Sequence, residues 1–444
     1  MASLARMLRL RDLVFIVVGT VIGSGIFLVP GPVLRASGGS VGVALLVWTA
    51  AGVLSLLGAL TYGELGAMKP DAGGLYVYIR DAFGPLPAFL YGWTAFLVIG
   101  SGSIATLAVA FNSYLGQFVD LSPLAGKLVA LAMIAVVMLV NVRGARQGAD
   151  VQNVSTILKV TAIVAMSVVL LVAGRGWSHV TAVWPAHADA SLFSGIGLAM
   201  VSVLWAYEGW QYATFSAGET IDPQRTFPRG IVIGTALLIG IYVLVNVAYV
   251  AALGTKGAAA SDRIAAQAVG ITVGPAAANI IAAIILVSMF SAANGLALTA
   301  PRMYYAMARD GLFFSRMARI HPRYGTPAFA IMASCAWAMV LAASGTFEQL
   351  LTYVVFVGWI FYALGALAIF VYRRRAPDAV RPFRTPGYPL TPILFVLSAA
   401  AIVGNTVVAE PRRAAVGLGL MALGVPAYLV RRFTARAARK TPGE

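Results

Sequence analysis

Apolar stretches of about twenty residues recur from one end of the chain to the other, separated by short polar or glycine- and proline-bearing connections. Twenty apolar residues is roughly the length a helix needs to cross the hydrocarbon core of a bilayer. The pattern predicts twelve helices, beginning near Leu13, Val41, Leu86, Leu124, Val154, Ser191, Gly230, Pro275, Ala328, Leu350, Leu390 and Ala414. The run near Leu13 lacks the layout of a cleavable signal, and comparable runs follow it, so it reads as the first membrane segment. No large polar block divides the 444 residues, and the longest outer connections, around residues 174–190 and 254–274, are modest. The expected class is therefore an all-α integral membrane protein of one domain. Helices 1–5 fall within 1–174, helices 6–10 within 191–372, helices 11 and 12 within 388–432, and a tail covers 433–444.

Two of these segments break the helical pattern at mid-depth. The first carries Gly19-Thr20-Val21-Ile22-Gly23-Ser24-Gly25-Ile26-Phe27, and the sixth carries Trp205-Ala206-Tyr207-Glu208-Gly209-Trp210-Gln211. Each opens a set of five helices. Interruptions at matching places in two halves point to an inverted-repeat transporter, because unwound backbone at membrane depth persists only where it lines a cavity or is buried in protein. Close packing through small residues is the plainer alternative. Two matched breaks, one with a carboxylate, favour the cavity.

Composition agrees with the pattern: 60% of residues are hydrophobic and 11% charged, where soluble domains carry roughly 25% charged residues. The net charge of +16 would suggest nucleic acid in a soluble protein. Here most Lys and Arg residues fall in the even-numbered connections and at the two ends, which places both termini in the cytoplasm of a cell whose inner membrane holds the chain. Arg373-Arg374-Arg375 and Arg431-Arg432 sit just past helix ends, as determinants of topology that also touch anionic lipid. A nucleic-acid partner is not expected. Cys335 is the single cysteine and lies inside an apolar run, and His179, His187 and His321 lie in connections. That excludes an internal disulfide and gives no grounds for a metal or any other cofactor.

The breaks carry the candidate chemistry. Glycine lets Gly23-Ser24-Gly25 leave helical geometry at little expense, and the amides freed there, with the positive end of the following half-helix, suit a carboxylate. Carbonyls freed in the sixth segment suit an ammonium. Together they form a receptor for the head group of an α-amino acid. Lys159 and Glu208 are the ionisable residues placed well inside the apolar runs, where a charge costs about 2.5–3.5 kcal/mol. Glu208 reads as functional, with a structural Lys–Glu pair as the alternative, and Lys159 as either a functional group or a tether for the broken helix. Glu64 and Glu219, near helix ends, read as caps or gate partners. Asn294 must find hydrogen-bond partners and reads equally as interhelical glue or pocket ligand. Trp205 is placed to cover a ligand, Tyr207 flanks the break, and Gly102-Ser103 in the third helix are candidates for the pocket wall.

At these residues the sequence resembles the amino acid–polyamine–organocation superfamily, and within it the L-type amino-acid transporters. The first-helix motif, Ala206-Tyr207-Glu208-Gly209-Trp210, Asn294-Gly295 with Arg302, Arg309-Asp310-Gly311, His321-Pro322, Thr326-Pro327 and Arg381-Pro382-Phe383 carry the likeness. The resemblance implies a broken-helix, LeuT-like fold of five plus five inverted repeats with two further helices, working by alternating access without sodium. It implies that Ser24 and Gly25 hold a substrate carboxylate, that backbone near Val21 and Trp205 receives the amine, and that the Trp205 ring is an outer lid. Val21, Gly23, Ser24, Gly25, Ser103, Trp205, Ala206, Tyr207, Glu208 and Asn294 are then the expected substrate residues. Lys159 stands where sodium-dependent relatives hold a cation. Many members have a small residue at Glu208. Eukaryotic members attach to a single-span glycoprotein through a cysteine between the third and fourth helices. The corresponding connection here, residues 120–127, has none, and no disulfide-linked heavy subunit is expected.

The expected activity is exchange of small neutral L-amino acids, with cationic ones as a further option. A proton-coupled importer of amino acids or polyamines, with Glu208 as the proton site, is one alternative. A membrane sensor that binds amino acids without moving them is another. An enzyme is not expected, since no nucleophile–base pair or metal cluster supports one.

Overall fold

The computed structural model describes residues 6–431 apart from 72, 181, 182, 186, 188 and 189. Arg432 and the 433–444 tail lie outside the described residues. Among the described residues, eleven helices are long and apolar enough to span a bilayer: α1 Leu10–Leu28, α2 Val41–Met68, α3 Pro85–Leu115, α4 Pro123–Arg143, α5 Arg146–Ala173, α6 Leu192–Glu219, α7 Pro223–Ala260, α8 Pro275–Arg309, α10 Phe347–Arg375, α11 Leu390–Ala409 and α12 Pro411–Arg431. The shorter apolar helix Ala328–Ser344, α9, completes the twelve expected from the hydrophobic pattern.

Local chemistry sets several helix starts. Ser40 and Ser122 cap α2 and α4, each accepting from the amide three residues on at 3.3 Å. Thr346 and Gln349 form a reciprocal capping box at the head of α10, satisfying donors that have no partner inside the helix. Prolines at the first turns of α3, α4, α7, α8 and α12 occupy positions where a missing N–H costs nothing.

Helix α5 starts at Arg146 rather than near Val154, and α7 at Pro223 rather than near Gly230. Their first turns carry exposed polar residues, Arg146 and Asp150 of α5 being 75% and 66% exposed, and Gln152 in the next turn is fully buried. The 254–274 connection is also more structured than expected. Helix α7 runs on to Ala260 through a non-helical Gly254, and Ile264–Thr272 is helical. A further short helix, Leu75–Phe83, lies between α2 and α3.

Burial separates centre from periphery. In their apolar windows α1 and α3 are 72% and 78% buried within the protein, whereas α11 and α12 are 28% and 22% buried. Helix α1 packs against α5, α7, α8 and the second half of α6. The interrupted α1 and α6 therefore meet inside the bundle, away from lipid.

Candidate functional site

Helical hydrogen bonding in α1 lapses at Ile22, whose ψ is 91°, and resumes at Gly25. Among the described residues the amides of Gly23, Ser24, Gly25 and Ile26 donate to no backbone carbonyl. In α6 the helix ends at Ala206, turns at 207–209, and continues as a tight 3₁₀ stretch from Trp210 to Glu219. Gly209 has φ 129°, a conformation that side-chain-bearing residues rarely adopt. The breaks lie against each other: a Cβ on Gly25 would stand 2.5 Å from the Ala206 Cα. Tyr242 on α7 binds both, its hydroxyl 3.3 Å from the Val21 carbonyl and 2.8 Å from that of Ala206. The Trp205 indole donates to Ser24 Oγ at 3.4 Å.

Lys159 is fully buried and donates to the carbonyls of Gly19 and Ile22 at 2.5 and 2.7 Å. These are carbonyls of the last turn before the break, orphaned by the loss of helix and lying at the negative end of the half-helix dipole. Ser288 of α8 adds a third donor, 3.0 Å from the Ile22 carbonyl. The Lys159–Glu208 pair held open on sequence grounds does not form, since Lys159 is committed to backbone. Glu208 instead accepts from the Gln211 amide and, at 2.6 Å, from the Tyr362 hydroxyl of α10. Both bonds fall on Oε1, so Oε2 accepts none among the described residues.

A small cavity of about 20 Å³ lies between the breaks, lined by Thr20, Val21, Gly23, Ser24, Gly25, Ser103, Leu107, Trp205, Glu208 and Leu296. Seven of the sequence-derived candidates thus share one cavity. Ala206, Tyr207 and Asn294 are not in its lining. Ala206 supports the α1 break from behind, and Tyr207 packs its ring against Trp48 and Tyr242. Asn294 accepts from Asn141 of α4 at 2.8 Å and donates to Gly148 and Gln152 of α5 at 3.0 and 3.3 Å. That geometry is the interhelical glue of the two readings offered by sequence.

Thr20, Leu107 and Leu296 were not singled out from sequence. Leu107 had a signal, since it follows Ser103 by one helical turn and shares its face. Phe347, at the head of α10, had none. Its ring meets Trp205 edge-on with centroids 6.4 Å apart. Beyond this pair opens a vestibule of about 710 Å³, whose rim carries Arg35, Asp262, Arg263, Glu348, Glu410 and Arg413.

The opposite, arginine-rich face is shut by ion pairs. Arg302 of α8 grips Glu219 with two bonds, both side chains almost fully buried. Arg373 binds Glu64 at 2.9 and 2.7 Å, and the Thr385 amide adds a 2.6 Å bond to the same carboxylate. Arg80 reaches Asp310. The chain before α1 closes over this face as well: the Met7 and Leu8 amides donate to the Glu219 carbonyl, and the Ile221 amide to that of Leu8.

The chain is similar to proteins of known function. A family model described as amino acid permease matches residues 8–428. The human cystine/glutamate transporter is 33% identical over 436 residues, covering 96% of this chain and 85% of the relative. The human b(0,+)-type amino acid transporter 1 is 34% identical over 420 residues, 92% of this chain and 84% of that protein. The serine/threonine exchanger SteT of Bacillus subtilis (strain 168) is 30% identical over 417 residues, 93% and 94% of the two chains.

Proposed function

The chain belongs to the amino acid permease family and is a multi-pass membrane transporter rather than an enzyme; from that premise we propose that it exchanges small neutral L-amino acids across the cell membrane, independently of sodium. The observation that carries the proposal is the row of unpaired amides from Gly23 to Ile26, facing the α6 break across a cavity that Glu208 also lines. In this reading Ser24 and Gly25 take the substrate carboxylate. The α-ammonium lies toward Val21 and Trp205, and Ser103, Leu107 and Leu296 bound the side chain. Lys159 supplies the positive charge that stabilises the broken end of α1, so no dissociable cation is required.

A cavity of 20 Å³ has room for about one water molecule. Substrate entry therefore requires Trp205 and Phe347 to part, and release on the other side requires the Glu219–Arg302 and Glu64–Arg373 pairs to separate. The two sets of five helices, within 1–174 and 191–372, are the inverted halves that rock to alternate these openings. Both termini are cytoplasmic, and the arginine-rich face is the inner one. The relatives' names support amino acids of more than one charge class, and the free Oε2 of Glu208 is the group placed to read a positive side chain. No heavy subunit is part of this reading, since Cys335 is fully buried in α9.

Counterflow in proteoliposomes tests the proposal. Vesicles preloaded with labelled serine or alanine should release it when unlabelled amino acid is added outside, with or without sodium and with no pH gradient. Release that needs a proton gradient, or binding without any release, would overturn it in favour of the proton-coupled or sensor reading.

A further inference from the structure

Three hydroxyl side chains and two leucines line the cavity between the broken helices, and the hydroxyls differ in what they have left to give. Ser24 Oγ, beside the unpaired amides, already accepts from the Trp205 indole. Ser103 of α3 is fully buried and donates its hydrogen to the Ile99 carbonyl at 2.7 Å. A hydroxyl has one hydrogen and two lone pairs, so Ser103 can offer a ligand an acceptor but no proton. Thr20 is buried as well, and its hydroxyl has no hydrogen-bond partner among the described residues. Buried polar groups are nearly always paired, and an aliphatic ligand would leave both of these unanswered.

The apolar part of the lining fixes where a side chain can lie. Leu107 follows Ser103 on the same face of α3, about 6 Å further along the helix. It stands against the α1 break, since a Cβ on Gly23 would meet Leu107 Cδ2 at 2.7 Å. Leu296 of α8 adds a second apolar wall. With a head group on the amides of residues 23–26, an oxygen two bonds from Cα, plus a hydrogen bond of about 2.7 Å, covers the interval from Leu107 to Ser103. A methyl in that place would face the Ser103 lone pairs without using them.

Resting on the amino-acid exchange reading above, we propose that Ser103 is a specificity-determining residue that accepts a hydrogen bond from a substrate hydroxyl. The site then selects L-serine and L-threonine over alanine and valine. Leu107 and Leu296 receive the methyl group of threonine.

Competition of unlabelled amino acids with labelled serine uptake into serine-loaded proteoliposomes tests this. Threonine and valine have the same shape, with a hydroxyl in one where the other has a methyl. Threonine should compete at a concentration about five-fold or more below that of valine, the worth of one hydrogen bond between neutral groups. Ser103→Ala removes the acceptor and should bring the two concentrations together. Leu107→Ala keeps the acceptor, removes the neighbour of the methyl, and should weaken threonine against serine by about four-fold. Each reading is a ratio within one preparation, so a lower yield of folded protein does not alter it, and the wild-type comparison needs no variant at all. Valine equal to threonine on the wild type, a threonine-to-valine ratio that survives Ser103→Ala, or a threonine-to-serine ratio unmoved by Leu107→Ala would overturn the proposal and leave the exchange reading standing. If no amino acid competes, both fall.

Discussion

The two ends of the proposed substrate path are closed by different materials. Toward the vestibule the closure is one layer: the edge-on contact of Trp205 with Phe347 and a 3.4 Å bond from the indole to Ser24. Toward the arginine-rich face it is several layers, with the buried Glu219–Arg302 pair, the Glu64 carboxylate shared between Arg373 and Thr385, and the chain at Met7 and Leu8 pinned to the end of α6. Rings part without stripping any charge of its partner. A buried ion pair separates only if both charges find new partners or water, and each carries a penalty of several kcal/mol when left alone. The conformation is therefore one in which the vestibule side is the readier to open.

That contrast can be broken experimentally. The largest effect is expected for Arg302→Ala, which leaves Glu219 buried without its partner, a loss of about 3–5 kcal/mol. The melting temperature should fall and amide exchange across the 3₁₀ stretch Trp210–Glu219 should accelerate. Unchanged exchange would show that this pair does not hold the arginine-rich face. Phe347→Ala removes an aromatic pair worth about 0.5–1.5 kcal/mol. It should speed exchange at 202–209 and loosen retention of bound amino acid by a few-fold, with little change at 210–219.

Glu208→Gln keeps the Tyr362 and Gln211 neighbours but removes the charge. Transport of lysine or arginine should fall by more than that of alanine, and equal losses would assign Glu208 a structural or protonation role. The smallest effect belongs to Asp310→Asn at the exposed end of the inner layer, where both side chains are about one-third exposed. Its cost should be about 0.2–1 kcal/mol and should vanish in high salt, where exposed charges are screened.

The pattern of apolar runs already contained the twelve helices, and the glycines of α1 and α6 already marked the breaks, because both follow from local rules about lipid and backbone. The pocket lining was legible where a motif concentrated it, at Val21 to Gly25 and at Trp205 and Glu208. It was not legible where distance in sequence intervened. Nothing local to Glu208 names Tyr362, which stands 154 residues away, and nothing near Trp205 names Phe347. Sequence offered Glu219 and Glu64 as gate partners without their arginines for the same reason. Tyr207 looked like a ligand by position, yet its ring turns into the bundle. The π-helical turn of α3 at Ala95–Ile99, whose last carbonyl receives the Ser103 hydroxyl at 2.7 Å, is a further feature that depends on tertiary packing.

Lys159 has a consequence for energy supply. A cation that binds and dissociates performs work in each cycle, because it falls down its own gradient and through the membrane potential. The Lys159 ammonium, tied to the carbonyls of Gly19 and Ile22, is never released on either side. In its proposed role it gives α1 the electrostatic support of an ion but delivers no free energy from outside. The steepest gradient such a carrier can build is then limited by the gradient of the amino acid it gives in return, and the swap of one neutral substrate for another carries no net current.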